Sequence, residues 1–238
     1  MCKRLCGDLV IELTRRCNMA CQHCLRGCAQ AIDINKELIR KALDPFERIN
    51  TLTLTGGEPS LVPKLISYTI TYVIEQGIEL GCFYVVTNGK VYSPSMIHTL
   101  RRAYHYADEK EMCCLSVSVD PYHDDNYSVL RRYENEVFYR PDKISPNIDD
   151  YLINEGRAYE NGIGVRNLRP RDRIDPDDTY TYTTKDGDDV LVVNDLMYVT
   201  ALGDVLLECD LSYENQELFS IGNLNSSLLL DIIEAHIV

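Results

Sequence analysis

No apolar run in the chain approaches the ~18 residues that a membrane-spanning helix needs. The opening Met1-Cys2-Lys3-Arg4-Leu5-Cys6 also has no long apolar stretch of the kind a secretory signal carries. The expectation is a cytoplasmic protein with no membrane partner. Positive charge is scarce too: 24 Lys and Arg stand against 37 Asp and Glu, a formal net charge of -13. Non-specific binding to nucleic acid relies on Lys and Arg meeting phosphates, so nucleic acid is disfavoured as a partner, and basic peptides or neutral small molecules suit the charge better. Internal repeats and low-complexity segments are missing. With 45% hydrophobic and 26% charged residues, the chain has the make-up of a soluble globular protein with a sizeable core. Its 238 residues allow one large domain plus an appendage.

Cysteine, by contrast, is plentiful, with ten residues. In a long chain without a signal this points to a reducing compartment rather than to disulfides. Three of the ten lie in Glu12-Leu13-Thr14-Arg15-Arg16-Cys17-Asn18-Met19-Ala20-Cys21-Gln22-His23-Cys24-Leu25-Arg26-Gly27. Cys17, Cys21 and Cys24 have the spacing C-x3-C-x2-C, which closes three thiolates around one face of a compact metal centre. Iron–sulfur clusters are held by cysteine thiolates in loops of this kind. Three protein ligands on four irons leave one iron open to an external ligand. The alternatives are a zinc knuckle and three buried structural thiols. Zinc prefers four ligands, and His23, between Cys21 and Cys24, is a poor fourth. Cys28 could complete a four-thiolate site and would abolish the open iron; it reads instead as an ordinary thiol that packs as a small hydrophobe. Cys2, Cys6, Cys82, Cys113, Cys114 and Cys209 have no second matching spacing.

Strands and helices alternate along the chain. Asp8 to Thr14 reads as a first strand delivering the cysteine loop. Asn35 reads as a helix N-cap, followed by Leu38, Ile39, Ala42, Leu43 and Phe46 at helical spacing, with Pro45 near the end. Leu52–Thr55 is a second strand ending in Gly56-Gly57-Glu58-Pro59. A helix over Pro63–Gln76 stops at Gly77. Phe83–Val86 is a third strand ending in Thr87-Asn88-Gly89, and Ser93-Pro94 opens a third helix. Leu115–Val119 is a fourth strand ending at Asp120-Pro121. A helix over Ile148–Asn161 and a fifth strand near Ile163–Asn167 follow, then a loop over Arg169–Asp189 and a sixth strand over Val190–Val193. Met197–Ala201 and Val205–Glu208 read as a β-hairpin, and Leu228–His236 as the last helix. The expected fold is α/β: a partial (β/α)6 TIM-like barrel over residues 1–195, with a C-terminal hairpin and helix over 196–238.

In parallel α/β folds the reacting groups gather at the C-terminal ends of the strands. The cysteine loop, Gly56-Gly57-Glu58-Pro59, Thr87-Asn88 and Ser118-Val119-Asp120 all fall at such ends. Adjacent glycines let a ligand approach the main chain, and Glu58 offers an acceptor for an ammonium group.

Together these motifs resemble the signature of the radical S-adenosylmethionine (SAM) enzymes over roughly residues 8 to 200. His23 stands where that family usually has an aromatic. The resemblance implies a [4Fe-4S] cluster on Cys17, Cys21 and Cys24, and SAM on the open iron. For SAM contacts it implies His23, Gly56, Gly57, Glu58, Pro59, Thr87, Asn88, Ser118 and Asp120, with Gly162-Ile163-Gly164 loosely like the region near the adenine. The implied chemistry is one-electron cleavage of SAM to a 5'-deoxyadenosyl radical that takes a hydrogen atom from a substrate. A peptide or protein substrate is expected, because residues 198–224 resemble the start of the extension in peptide-modifying members. Only Cys209 remains of that extension's cysteines, so no second cluster is expected. The rivals are a small nucleotide-like molecule, a glycyl-radical partner, and a non-catalytic iron–sulfur or zinc module. An electron donor such as flavodoxin or ferredoxin is implied; no catalytic side chain is assigned. His123 is a candidate acid, base or substrate contact, and Arg131 and Arg132 candidate carboxylate contacts, with polar and solvated roles as the plainer readings.

Overall fold

Along β1 (Lys3–Thr14), Leu9, Ile11 and Leu13 alternate with Val10, Glu12 and Thr14, and a strand's two-residue period sends the two sets to opposite faces. The first set joins the main core with residues of four of the helices; Val10 joins a second, smaller cluster with Tyr198, Leu206 and Leu211. The computed structural model describes residues 3–119, 122–123, 131–143, 152–167 and 170–237.

The main layer is a mostly parallel sheet. β1 pairs in parallel with β2 (Arg48–Gly56) on one side and with β7 (Asp189–Val199) on the other. β3 (Glu79–Thr87), β4 (Cys114–Val119) and β5 (Tyr139–Lys143) extend it outward from β2, all parallel. β8 (Asp204–Leu206) and β9 (Gly222–Asn223) add antiparallel beyond β7, and β6 (Thr179–Thr183) pairs antiparallel with the start of β7. The order is β5-β4-β3-β2-β1-β7-β8-β9, and the sheet stays open, as a partial barrel requires.

The connecting helices form where their capping residues dictate. α1 (Lys36–Leu43) begins after Asn35, whose side chain accepts from the Glu37 N–H at 2.9 Å. α2 (Pro63–Gln76) ends at Gly77 with φ 68°, a left-handed stop. α3 (Pro94–Tyr106) begins after Ser93, whose hydroxyl accepts from Met96 N–H at 3.3 Å. α4 (Gly156–Glu160), α5 (Tyr213–Leu218) and α6 (Leu229–His236) follow. Among the described residues no helix is long and apolar enough to cross a membrane.

Four sequence expectations are corrected. Of the helix expected over 148–161, only α4 forms within the described residues; 148–151 lie outside them. The fifth strand is β5, not 163–167, where a single bridge joins Ile153 to Arg166; Gly162 and Gly164 both have positive φ there, at 65° and 89°, which breaks an extended run. The loop expected over 169–189 contains β6, whose Tyr180 and Tyr182 are exposed and so gave no buried stripe. Val190–Val193 and Met197–Val199 belong to one strand, β7. Asp195 interrupts its apolar run, and Arg171 makes that burial tolerable with bonds of 2.7 and 3.0 Å to its carboxylate.

Leu52 sits at the centre of β2 with no exposed surface. Leu52→Ala is expected to destabilise the chain by about 2–5 kcal/mol through lost transfer energy plus a cavity. In a urea titration the midpoint falls while the slope is unchanged.

Candidate functional site

The ends of β1, β2 and β3 are drawn together by main-chain contacts. The Gly57 N–H donates to Thr14 O at 2.7 Å, and the Glu58 N–H to Arg16 O at 2.8 Å. A Cβ on Gly56 would meet Thr14 O at 2.1 Å and one on Gly57 would meet Arg16 O at 2.4 Å. The two glycines are therefore demanded by the chain's own close approach, with Gly56 also at φ 146°. The crowded side faces β1 and the entrance of the cysteine loop.

Glu58 is 1% exposed and caps the short 3-10 turn Pro59–Leu61. One carboxylate oxygen accepts from Ser60 N–H at 2.9 Å and Thr87 Oγ1 at 2.7 Å, the other from Asn88 N–H at 2.7 Å. Asn88 in turn donates through Nδ2 to Asn18 Oδ1 at 2.8 Å and stands 3.8 Å from Cys17 Sγ. Pro59 is buried. Glu58, Thr87 and Asn88 thus form one continuous link from the second and third strand ends to the first thiol.

Cys17, Cys21 and Cys24 line one cavity with Gly56, Gly57, Arg26, Arg157 and Tyr213. Cys28 is exposed and lines a different cavity, so among the described residues no fourth cysteine joins the three. Burial pushes the Cys17 and Cys24 thiols up. The Met19 N–H donates to Cys17 Sγ at 3.4 Å. Among the described residues, Glu208, Cys209 and Asp210 are the one group of three whose ligand atoms lie within 4.8 Å of one another. An iron–sulfur centre, whose thiolate ligands accept N–H bonds, fits three thiols on one cavity with a main-chain donor on Cys17.

Tyr122 and His123, which follow β4, lie against the same place. His23 packs on Tyr122 with ring centroids 4.4 Å apart and on His123 at 5.4 Å, and His123 Nε2 is 3.9 Å from Cys21 Sγ. Ser118 is half-buried, one step past Val117, which pairs with Thr87. Asp120, Asp124 and Asp125 lie outside the described residues, as does Cys2. Arg131 and Arg132 are exposed, with Arg132 5.4 Å over the Tyr92 ring. Gly162 and Gly164 lie in the turn after α4, off any named strand.

A second group, without a contiguous motif, lies on the other face of β1. Glu12, on the face of β1 opposite the helices, is fully buried. It accepts from Arg15 Nε at 2.8 Å, Tyr198 Oη at 2.8 Å, Gln216 Nε2 at 3.0 Å and the Ala201 N–H at 3.1 Å. Arg15 also donates to Gln216 Oε1 at 2.7 Å and lies 4.6 Å over the Tyr213 ring. Arg26 donates to Leu211 O at 2.7 Å, and its own carbonyl accepts from Tyr213 N–H at 3.0 Å. Glu155, just before α4, accepts from Ser212 N–H at 3.1 Å and Asn215 Nδ2 at 2.8 Å. Residues 211–216 are thereby fastened to the cysteine loop. The one clue in the sequence is an acid inside the apolar run Leu9-Val10-Ile11-Glu12-Leu13, where a carboxylate needs partners.

Burial alone would raise the Glu12 carboxyl, but Arg26 and Arg15 outweigh it and hold it below the ordinary glutamate value. Such a depressed carboxyl adds stability that is complete above about pH 4.3, the unfolded value, and is lost as pH falls through the lower folded one. Glu12→Gln should cost about 3–5 kcal/mol at neutral pH by leaving buried guanidinium charge uncompensated. Thermal unfolding across pH 3–7 should show that gap shrinking on the acid side.

The family model described as the radical SAM superfamily matches residues 11–145. GTP 3',8-cyclase of Synechococcus sp. (strain CC9902) is 30% identical over 100 residues, 41% of this chain and 29% of that protein. YfkA of Bacillus subtilis (strain 168) is 33% identical over 72 residues, 29% of this chain and 19% of that protein. The matches thus span less than a third of either curated relative. Among solved structures, native anSMEcpe with bound AdoMet and Cp18Cys peptide superposes with a TM-score of 0.54 at 11% identity, covering 98% of this chain and 82% of that one, a likeness of fold. With more than half its length matched by the family model and its three-cysteine loop at the end of β1, the chain belongs to the radical SAM superfamily.

Proposed function

We propose that the chain is an enzyme that holds a [4Fe-4S] cluster on Cys17, Cys21 and Cys24 and cleaves SAM at it to abstract hydrogen from a substrate. The observation that carries this reading is the shared cavity of three thiols without a fourth cysteine among the described residues. Cys17, Cys21 and Cys24 would hold that cluster, and the chemistry it would supply is one-electron reduction of the SAM sulfonium, giving methionine and a 5'-deoxyadenosyl radical that would take a hydrogen atom from the substrate. The electron comes from an external donor of the flavodoxin or ferredoxin kind.

The chain's own residues bind and orient. An ionised carboxylate has about four acceptor sites. Glu58 has three taken by the chain, so one further donor, such as the ammonium of SAM, can be accommodated. Thr87 and Asn88 fix that carboxylate in place. His23, with Tyr122 and His123 against it, walls the loop on the β4 side, where Ser118 and Asp120 complete the proposed SAM contacts. The extension, residues 196–238 beyond a 1–195 core, keeps water from the thiol cavity through Tyr213, which lines it.

A peptide is the favoured substrate: the chain shares its fold, over nearly its whole length, with a structure holding a peptide alongside AdoMet. The similarity to GTP 3',8-cyclase favours a second reading, a nucleotide-like substrate, over a shorter stretch.

Anaerobic reconstitution with iron and sulfide is expected to give a brown protein that forms 5'-deoxyadenosine from SAM and a reductant. Cys21→Ala should abolish that product and lower bound iron, with secondary structure by circular dichroism unchanged. A colourless protein with stoichiometric zinc, or a Cys21→Ala variant with full product, would refute the proposal.

A further inference from the structure

Arg26 lies two residues past Cys24 and lines the thiol cavity. Its guanidinium is held rather than free. It donates to Leu211 O at 2.7 Å and sits 5.0 Å over the ring of Tyr198, whose hydroxyl donates to Glu12. Arg15 shares that Glu12, and its guanidinium also donates to Gln30 Oε1 at 3.2 Å. The group under the loop contains the Arg15 and Arg26 guanidinium cations and the Glu12 carboxylate, with Glu208 and Asp210 beside Cys209 on its far side. Of these groups, Arg26 is the cation that also lines the thiol cavity and acts on Cys24.

The reduction potential of an iron–sulfur centre depends on nearby charge, hydrogen bonds to its sulfurs and solvent exposure. A fixed cation beside it stabilises the reduced, more negative form. We propose that Arg26, fixed by the 211–216 segment and Glu12, is a positioning residue that raises the reduction potential of the centre held by Cys17, Cys21 and Cys24. This rests on the cluster reading given above. The C-terminal segment then has an electrostatic role beyond covering the site: the Leu211 carbonyl holds the Arg26 guanidinium, and the Tyr213 N–H holds the Arg26 main chain, beside the cysteine loop. Glu58, the buried carboxylate on the Cys17 side, is common to every variant below and so cancels from the comparison.

The test uses the full chain, reconstituted anaerobically, with iron content measured and the midpoint potential read by an EPR-monitored redox titration without SAM. Arg26→Gln, which removes the charge, and Gln30→Glu, which adds a carboxylate against Arg15, are both expected to move the midpoint to more negative values at full iron content. Arg26→Lys, which keeps the charge, should return most of the shift. A role in loop shape alone would lower iron content or broaden the signal without following the sign of the charge. An unchanged midpoint in Arg26→Gln, whatever Gln30→Glu does, or a shift in Arg26→Lys as large as in Arg26→Gln, would overturn the proposal. Should Arg26→Gln fail to hold iron, Gln30→Glu decides alone, an unshifted midpoint counting against. A wild-type chain that assembles no cluster removes the reading of the site itself, and is told apart by the missing iron.

Discussion

Two buried carboxylates hold the cysteine loop, and the arrangement of the site follows from how each is satisfied. Taking a carboxylate out of water costs several kcal/mol unless donors replace the lost hydration. Glu12 meets that cost with four donors from three parts of the chain: Arg15, Tyr198 and Ala201, and Gln216. Glu58 meets it with three, from Ser60, Thr87 and Asn88. The loop between them has few apolar anchors; Cys17 to Gly27 contributes no residue to the main core. Polar bonds to two fixed anions do for it what packing does for the helices.

The consequence is that neither strand end can shift alone. Glu58 joins the end of β2 to the end of β3, and Asn88 carries that link on to Asn18 and Cys17. Glu12 joins β1 to β7 and to α5, more than two hundred residues along the chain. Gly56 and Gly57 allow the first of these closures, because a side chain at either place would strike the backbone of residues 14–16. A motif read as an opening for a ligand is thus first a seam between strands, and whatever SAM contact it offers is set by that seam.

Local patterns made the helical half of the fold legible and hid much of the rest. The bounds of α2 could be read because Pro63 opens it and Gly77 closes it, and α1 and α3 announce themselves by Asn35 and Ser93. The cysteine spacing and the strand-end motifs could be read because each is contiguous. β5 was not, since Pro141 and the charged residues around it disguise a strand whose only demand is to pair with β4. β7 looked like two strands because Asp195 interrupts it, and the partner that makes the acid acceptable, Arg171, comes from a segment without periodicity. The Glu12 group could not be assembled from sequence at all: its members span positions 12 to 216 and meet only once β7 lies beside β1.

The unequal satisfaction of the two carboxylates separates a rigid floor from an adaptable rim. With all of its roughly four acceptor sites occupied, Glu12 has nothing left for a ligand, and its burial on the far face of β1 keeps it out of the thiol cavity's lining. Its part is to fix the place of Arg15 and, through Tyr198, the surroundings of Arg26. Glu58 has three of its roughly four acceptor sites occupied, one of them by the N–H of Asn88, whose side chain stands beside the first thiol. A site that must hold a reactive group within a fraction of an ångström needs supporting residues already locked before any ligand arrives. Here that locking comes from the C-terminal segment, so the residues most distant in sequence from the cysteines are among those that most narrowly define where the cysteines stand.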